Sequence, residues 1–421
     1  MAVSWLSRLA VRGPATVFPA LGMHGEDALY RLARDPGIAL VDTPRHAAIL
    51  LVAGGVPPHL QDALRRVHDQ LPAPCATLWY QSEPLLELNQ PGAVIIDDPA
   101  ALPGAVKKTW RRLITREQDT APRLLPDTPP NPWQGLGDDG HGGEGMMGGV
   151  PYGRPMAMPP TPDLRDGLAL DVLTFRLGPF FPLWPAGLAA EVALQGDIVQ
   201  QFAVVSPAFP QAVPQIFVEA QSRPVAIAEL ERKRVQHHLY AFFHALGLAH
   251  LPGLARRALA LAEQCDSRPV QALDKAFTAF ERALVRRGFF ALYLPRGATL
   301  EGEDARALGG VAARAAGVED DARHADDGYR RLGFSPVTQQ AGDVPARWRQ
   351  RLAEIQQSLR LIGRAEQGDA VTAATDSIEL PQGTGSAHEL LENQLPGLEW
   401  SEALATVASL DVAEVSPWPH P

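Results

Sequence analysis

The chain has 421 residues and a formal net charge of −10, with 46% hydrophobic and 20% charged residues. This length corresponds to two or three domains at about 150 residues each, and the apolar content suffices for buried cores. The acidic balance argues against a nucleic-acid-binding protein, which needs a basic surface to displace counterions from phosphates.

The N-terminal segment, MAVSWLSRLAVRG, mixes Trp5, Leu6 and Leu9 with Arg8 and Arg12. It lacks the long apolar core and the small-residue cleavage site of a signal peptide. No apolar run elsewhere approaches the roughly 20 residues that span a bilayer. The apolar positions fit one face of a helix that contacts a membrane or a partner through Trp5. An ordinary surface helix fits the same pattern equally well.

Short apolar runs alternate with amphipathic segments between residues 38 and 114. The runs GIALVD, AAILLVA, CATLWY and AVIID predict β-strands, and PHLQDALRRVHDQL and ALPGAVKKTWRRLI have the apolar spacing of helices. This alternation predicts a parallel sheet with covering helices. The expected fold of residues 1–116 is therefore α/β, with a flavodoxin-like parallel sheet.

Residues 117–165 are dense in proline and glycine, which is typical of a linker or a long ordered loop. His141, Glu144 and two methionines in this stretch invite a metal-site interpretation. That interpretation is the least favoured, because hard and soft donors mix without a familiar spacing. A contact loop that binds a partner is favoured, with Tyr152 and Arg154 among its contacts, and a flexible linker remains an alternative.

Residues 166–421 change from a strand pattern to a helical one. The runs LALDVLTFRLGPFF and LAAEVALQGDIVQQFAVV predict antiparallel strands with a turn at 195–197. From about residue 224 onwards, long amphipathic segments predict a helix bundle. The expected fold of this part is α+β and mostly helical.

The first half carries a resemblance to a known family. The stretch PRHAAILLVAGGVPPHLQDALRRVHDQLPAP resembles the small, cluster-bearing subunit of respiratory complex I and of membrane-bound [NiFe] hydrogenases. In that family a SPRHAD entry precedes an apolar strand, a glycine-bearing turn and an LRRVYDQMPEP helix. The resemblance covers roughly residues 20–112.

The second half resembles the partner large subunit. The resemblance implies a hydrogenase-large-subunit-like fold for residues 166–421. Five blocks occur in the family's order: RLGPFFPLWPAGLAAEVALQGDIV, KRVQHHL, GDVPARWRQRLAEIQQSLRLI, IELPQG and VASLDV. Arg234 and His238 match the family positions of the second block. The resemblance implies one polypeptide in which the small and large subunits are fused.

The sequence departs from the family at the metal ligands. The three cluster loops fall near residues 19–27, 78–82 and 97–103, and none contains a cysteine. The two Cys-x-x-Cys pairs of hydrogenase large subunits also have no counterpart. The chain has only two cysteines, Cys75 and Cys265, whereas one iron–sulfur cluster normally needs four thiolates. Neither an iron–sulfur cluster nor a nickel–iron centre is therefore expected, and so few thiols favour a cytoplasmic setting.

Other residue patterns add no catalytic site. The His of the family's quinone-pocket hairpin is replaced by Phe180 or Phe181, which have no hydrogen-bonding group. The chain has no His-Glu-x-x-His motif around its clustered histidines, so a buried structural role is favoured for His238. No catalytic residues are predicted. The predicted partner or pocket contacts are Trp5, Tyr152, Arg154, Phe180, Phe181, Trp184, Arg234 and His238.

The resemblance and the missing ligands together predict a non-redox structural or coupling subunit of a membrane-associated, ion-translocating complex. Its expected partners are membrane-embedded antiporter-like and complex I-like subunits, with a separate catalytic subunit as a further partner. The expected location is the cytoplasmic side of the membrane, peripherally bound. Two alternatives remain open: a quinone- or metal-dependent oxidoreductase subunit that borrows redox centres from partners, and a soluble assembly factor.

Overall fold

The computed structural model describes residues 10–85, 88, 94–115, 172–212, 214–373, 387–413 and 415–416. Several sequence predictions lie outside these residues: the contact at Trp5, the segment 117–165 with His141, Glu144, Tyr152 and Arg154, and the IELPQG block. We call residues 10–115 the sheet region and residues 172–416 the helical region.

The sheet region is a five-stranded parallel sheet with strand order β2-β1-β3-β4-β5. This order is typical of flavodoxin-like, doubly wound sheets. The strands are β1 Ala15–Leu21, β2 Ile38–Leu40, β3 Ile49–Ala53, β4 Ala76–Tyr80 and β5 Val94–Ile96. The helices are α1 Glu26–Ala33, α2 Gln61–Asp69 and α3 Leu102–Ile114.

Every residue of β3 and β4 is buried, because helices cover both faces of the sheet. Helices α1 and α3 pack on one face, and α2 packs on the other. The sequence pattern missed β1, which lies N-terminal to the predicted strands and contains Pro19. A proline inside a strand removes a ladder hydrogen bond and weakens the strand signal.

The helical region begins with an antiparallel sheet in the order β6-β7-β8. The predicted turn joins β7 to β8, and Gly196 adopts a left-handed φ of 62° there. The strands are β6 Val172–Leu177, β7 Ala189–Gln195, β8 Ile198–Ser206, and a separate parallel pair of β9 Gln211–Ala212 and β10 Val415–Ser416.

Helices form most of the remaining described residues. They are α4 Gln215–Ala220, α5 Ile227–Leu248, α6 Pro252–Gln264, α7 Val270–Arg286, α8 Gly302–Leu308, α9 Gly310–Ala315, α10 Asp327–Arg331, α11 Val344–Gly368, α12 His388–Gln394 and α13 Trp400–Ser409. Helices α5, α6, α7 and α11 bury a common core that contains Phe242, Phe280 and Trp348. Asp343 caps α11 by accepting a hydrogen bond from the Ala346 N–H at 2.8 Å. None of the described helices is long and apolar enough to cross a bilayer.

The two regions pack against each other at the carboxyl end of the parallel sheet. Phe180, in the loop between β6 and β7, inserts into the apolar cluster on the α2 face. Phe243 of α5 packs against the cluster on the opposite face. An ion pair between Arg34 and Glu263, 2.6 Å long, also joins the two regions. These contacts surround a cavity between the two regions.

Candidate functional site: a cavity between the two regions

A cavity of about 530 Å³ lies between the sheet region and the helical region. Its sheet-side wall begins at Leu21, where β1 ends, and includes Gln81 after β4. Its opposite wall consists of α5, the loop 183–186 and the chain that follows α13. Ligands of open α/β sheets bind in the crevice outside the carboxyl ends of the strands, and this cavity has that position.

The loop between β1 and α1 forms one wall and is held by backbone contacts. The Gly22 N–H donates to the Ala53 carbonyl at 2.7 Å, and the Met23 N–H donates to the Gly55 carbonyl at 2.8 Å. A Cβ atom at Gly25 would lie 2.1 Å from the Ala53 carbonyl oxygen, so only glycine fits there. This close approach fixes α1 over the cavity.

Tyr30 of α1 reaches across the cavity to α5. Its ring stacks on Tyr240 with centroids 4.2 Å apart, and its hydroxyl lies 3.1 Å from His244 Nε2. Burial lowers the pKa of His244 to about 4, so this imidazole is neutral at pH 7. Burial raises the pKa of Glu26, one turn before Tyr30, although a hydrogen bond from Tyr30 opposes the rise. The single Tyr30 proton can therefore be donated to either Glu26 or His244, but not to both.

Asp27 lines the same wall and is already paired. Its Oδ2 atom accepts hydrogen bonds from Tyr80 at 2.9 Å and from Arg31 at 3.1 Å. Burial and the contact with Asp27 raise the pKa of Tyr80 to about 12. The shielded Oδ1 atom of Asp27 has no hydrogen-bond partner among the described residues.

The helical wall carries a second paired carboxylate, Asp411, which follows α13. Arg351 donates to its Oδ1 atom at 2.9 Å, and His237 Nε2 lies 3.6 Å from the same atom. Burial acts to raise the pKa of Asp411, but the charge of Arg351 and the contact with His237 outweigh it and hold the pKa below its usual range. Asp411 is therefore ionised at neutral pH.

A chain of buried polar contacts leads from Asp411 into the helix bundle. Arg351 lies 3.4 Å from His238 Nδ1, and His238 Nε2 lies 3.1 Å from Glu354. Arginine can only donate and a carboxylate can only accept, so the neutral Nε2–H tautomer of His238 satisfies both neighbours. Burial lowers the pKa of His238 to about 4, which keeps this tautomer neutral at pH 7.

The chain continues to the other side of the bundle. Glu354 pairs with Arg314 at 2.7 Å, Arg314 approaches Asp321 at 3.4 Å, and Asp321 pairs with Arg323 at 2.7 Å. Arg323 then lies 3.4 Å from Glu231, which also accepts a hydrogen bond from Tyr329 at 2.6 Å. We call these residues the ion network. Arg234 joins the network at Glu231, 3.1 Å away. The charged members are the carboxylates Glu231, Asp321, Glu354 and Asp411 and the guanidiniums Arg234, Arg314, Arg323 and Arg351.

The ion network is balanced, with four carboxylates facing four guanidiniums. In each carboxyl group burial acts to raise the pKa, but the facing arginines outweigh it and hold the pKa below its usual range. Buried charges are tolerated only when they are paired and hydrogen-bonded in this way. The network therefore holds its charges in fixed positions between the cavity and α10.

The structure brings some of the sequence-predicted site residues to the cavity and not others. Trp184 lines it, and the Nε1 donor of this buried side chain has no partner among the described residues. Phe180 is buried in the sheet cluster and Phe181 packs against Trp184, and neither lines the cavity. Arg234 and His238 belong to the ion network and do not reach the cavity wall.

Sequence reasoning did not single out Tyr30, Tyr240 or Arg351, and it used Asp411 only as a landmark in the VASLDV block. The signal for Asp411 was its place in that block. The aromatic pair had no sequence signal, because Tyr30 and Tyr240 lie far apart in the chain and meet only when the two regions pack.

The two thiols do not fit a metal centre. Cys265 is fully buried at the end of α6, and burial raises the pKa of its thiol to about 12. Cys75 lies just before β4, and neither cysteine lines the cavity. The described residues contain no group of three or more His, Cys, Asp or Glu placed to hold a metal ion. The donors available at the cavity thus do not suit an iron–sulfur cluster or a nickel–iron centre, which need thiolates.

Comparison with known proteins relates one segment to a family. Residues 262–393 match the family described as respiratory-chain NADH dehydrogenase, 49 Kd subunit. This segment contains α7 and α11 and much of the ion network. It spans less than a third of the chain, and it agrees with the large-subunit resemblance of the sequence. The small-subunit resemblance and the fusion stay predictions.

No curated protein matches the chain. A solved structure of an archaeal respiratory membrane complex, the membrane-bound sulfane sulfur reductase, contains a chain that is similar to this one at 16% identity. The similarity covers 57% of this chain and 96% of that chain, with a TM-score of 0.47.

Proposed function

We propose that this chain is a structural and coupling subunit, without a redox centre of its own, of a membrane-associated complex related to respiratory complex I and membrane-bound [NiFe] hydrogenases. The sheet region corresponds in this proposal to the small subunit and the helical region to the large subunit. The family match over residues 262–393 and the order of the sequence blocks support the relationship.

One observation carries the non-redox role: the polar atoms of the cavity wall are oxygens and nitrogens, not thiol sulfurs, and most of them form ion pairs or hydrogen bonds within the protein. Asp27 is paired with Arg31 and Tyr80, and Asp411 is paired with Arg351. The loops that resemble cluster loops present Gly22, His24 and Gln81 to the cavity in place of thiols. In this proposal the subunit couples its partners through conformational and electrostatic changes and does not transfer electrons.

The ion network supports the coupling part of the proposal. It begins at Asp411 on the cavity wall and ends at Glu231 and at Tyr329 of α10, where the neighbouring Arg330 is exposed. Interactions between charges are strong in a low-dielectric interior. A change of charge at the cavity would therefore alter the electrostatic potential at the residues around α10. This arrangement fits a subunit that links a partner on one face to an event at the cavity.

The proposed partners are membrane-embedded antiporter-like and complex I-like subunits, with a separate catalytic subunit that supplies the driving reaction. The chain would bind peripherally at the cytoplasmic face of the membrane. Purification of the tagged full-length chain from its native membrane tests this proposal. We expect integral membrane proteins to co-purify with it, and we expect iron and nickel in the separated chain to be far below one atom per chain.

Two results would contradict the proposal. Stoichiometric iron or nickel that stays with the isolated chain would identify a redox subunit. A chain that fractionates only as a soluble monomer would favour an assembly factor. Visible absorption of the purified chain gives an independent check, because iron–sulfur clusters absorb where the protein does not.

A second candidate function is a quinone-dependent subunit whose electrons come from a partner's redox centre. The aromatic cavity wall favours it, because Tyr30, Tyr240 and Trp184 offer flat apolar surfaces. Titration with a short-chain quinone, followed by tryptophan fluorescence, tests this candidate. We expect Tyr30→Ala to weaken binding at least about tenfold if it holds. No saturable quenching in the wild-type chain would eliminate it.

A further inference from the structure

The end of α7 and the turn after it expose apolar side chains to an unusual extent. Val285 is 62% exposed, Leu292 is 79% exposed and Tyr293 is 43% exposed. These are three of the eight large hydrophobic side chains that are exposed among the described residues, and they lie within nine residues of each other. We call residues 282–293 the α7 tip.

The backbone of the α7 tip fixes this exposure. Gly288 ends α7 with a left-handed φ of 71°, and its carbonyl accepts hydrogen bonds from the Leu292 N–H at 2.8 Å and the Ala291 N–H at 3.0 Å. A Cβ atom at Gly288 would lie 2.8 Å from Leu292 Cδ1, so the Leu292 side chain rests on the glycine. Phe289 is fully buried in the bundle core and anchors the turn. The outward position of Leu292 is therefore built into the fold.

Positive charge dominates around the exposed apolar residues, with one carboxylate, that of Glu281, one turn before Val285, where it accepts a hydrogen bond from Gln356 at 2.8 Å. Arg282, Arg286 and Arg287 are exposed, and none of them has an ion pair or a side-chain hydrogen bond among the described residues. Residues 282–296 contain four arginines and no acidic residue, although the whole chain has a net charge of −10. A long arginine side chain can lie along apolar surface and keep its charge at a polar boundary.

We propose that the α7 tip docks on a lipid surface that carries anionic headgroups. Leu292, Val285 and Tyr293 would enter the headgroup boundary, where apolar and tyrosine side chains are favoured. The three arginines would contact the headgroup phosphates.

This inference deepens the proposed membrane association, but its test needs no partner chain. The purified full-length chain is mixed with vesicles of phosphatidylcholine alone or with one quarter phosphatidylglycerol, and bound protein is measured by flotation. We expect binding to the anionic vesicles only, and less of it at high salt, where surface charges are screened. Each basic residue at an anionic surface raises the partition coefficient about fivefold. R286E/R287E should therefore reduce binding at least about tenfold, and Leu292→Gln should reduce it several-fold.

Two matched variants keep the test specific. R256E/R257E reverses two adjacent exposed arginines on α6, and Leu173→Gln changes another exposed leucine on β6. Both should bind like the wild type. The inference is overturned if the wild type does not bind anionic vesicles, or if the control variants lose binding equally. If vesicle binding is absent while R286E/R287E loses membrane chains on co-purification, the tip docks on an acidic protein instead, and the proposed function survives without this inference.

Discussion

The sheet region and the helical region bury different kinds of side chain. In the described sheet region, the buried polar side chains are those of His68, Thr77 and Thr109, and the remaining core is apolar except for the Tyr80 hydroxyl and the Trp79 indole N–H. The helical region buries the four arginines of the ion network together with Glu231, Asp321 and Glu354, while Asp411 lies partly exposed on the cavity wall. Apolar burial is tolerant of pH and of modest volume-conserving changes, whereas a buried ion pair is sensitive to the loss of either partner. The difference teaches that apolar packing holds the sheet region together, whereas the helical region also depends on paired buried charges.

The largest expected effect comes from breaking the ion network at the end that lies farthest from the cavity. Glu231→Gln removes the carboxylate that faces Arg234 and Arg323, so that four buried guanidiniums are left facing three carboxylates. We expect the free energy of unfolding to fall by about 3 to 5 kcal/mol. Urea unfolding followed by circular dichroism measures the loss.

A matched control for this variant is Glu219→Gln, which removes the partly exposed partner of the exposed Arg223. Exposed ion pairs contribute less than about 1 kcal/mol, so the control should unfold almost like the wild type. If both variants unfold alike, the network does not stabilise the helical region.

In the sheet region, the largest effect should come from a cavity. Leu51→Ala in β3 removes a fully buried side chain from the cluster beneath α1 and α3. We expect a loss of about 2 to 5 kcal/mol, measured by urea unfolding. Ile95→Ala, at a position that is 56% exposed, should cost much less. A comparable cost at both positions would contradict the apolar description of this core.

The effect of pH on stability should differ between the two regions, because the helical region buries titrating side chains in its ion network. The pKa of His238 is lowered from 6.5 to about 4 in the folded chain. Between these values the unfolded chain binds more protons at His238 than the folded chain does. The contribution of neutral His238 to the free energy of unfolding is therefore fully present above about pH 6.5, and it is lost as the pH falls to 4. The contribution is about 3 kcal/mol from the linkage of the two pKa values.

The measurement is the urea midpoint of the wild type and of His238→Gln between pH 7 and pH 4. Glutamine keeps a donor for Glu354 but does not titrate, so the variant should show a shallower fall of stability with acid. The Leu51→Ala variant should keep the wild-type slope, because its lost contacts carry no charge. An unchanged slope in His238→Gln would show that His238 does not contribute in this pH window.

The smallest expected effect concerns the contact between the regions. Tyr30→Phe keeps the stack on Tyr240 but removes the hydrogen bond to His244. We expect a loss of about 1 kcal/mol, measured as a lower thermal midpoint. Tyr293→Phe, at an exposed position, should leave the midpoint unchanged. A thermal midpoint for Tyr30→Phe equal to that of the wild type would mean that water replaces the lost contact.

The sequence predicted the elements better than it predicted the site. Buried parallel strands are continuous apolar runs, so AAILLVA and CATLWY were recognisable as strands, and the helical spacing of α5, α7 and α11 was equally clear. Strand β1 was not predicted, because Pro19 interrupts the apolar sequence pattern that identifies a strand. Trp184 was expected at a pocket and lines the cavity, whereas Phe180 lies in the sheet core because the loop that carries it folds over the α2 face.

The sequence by itself determined the two fold classes, the shortage of thiols and the blocks that resemble respiratory subunits, because periodicity, composition and motif order are local properties of the chain. Only the tertiary structure decided that Tyr30 meets His244, and that Asp411 begins an ion network that ends at Glu231. These partners lie far apart in sequence, and a charged residue on an amphipathic helix looks the same whether it faces water or a buried partner. Burial and pairing, which set the pKa values and the energetic cost of each change, are properties of the folded chain.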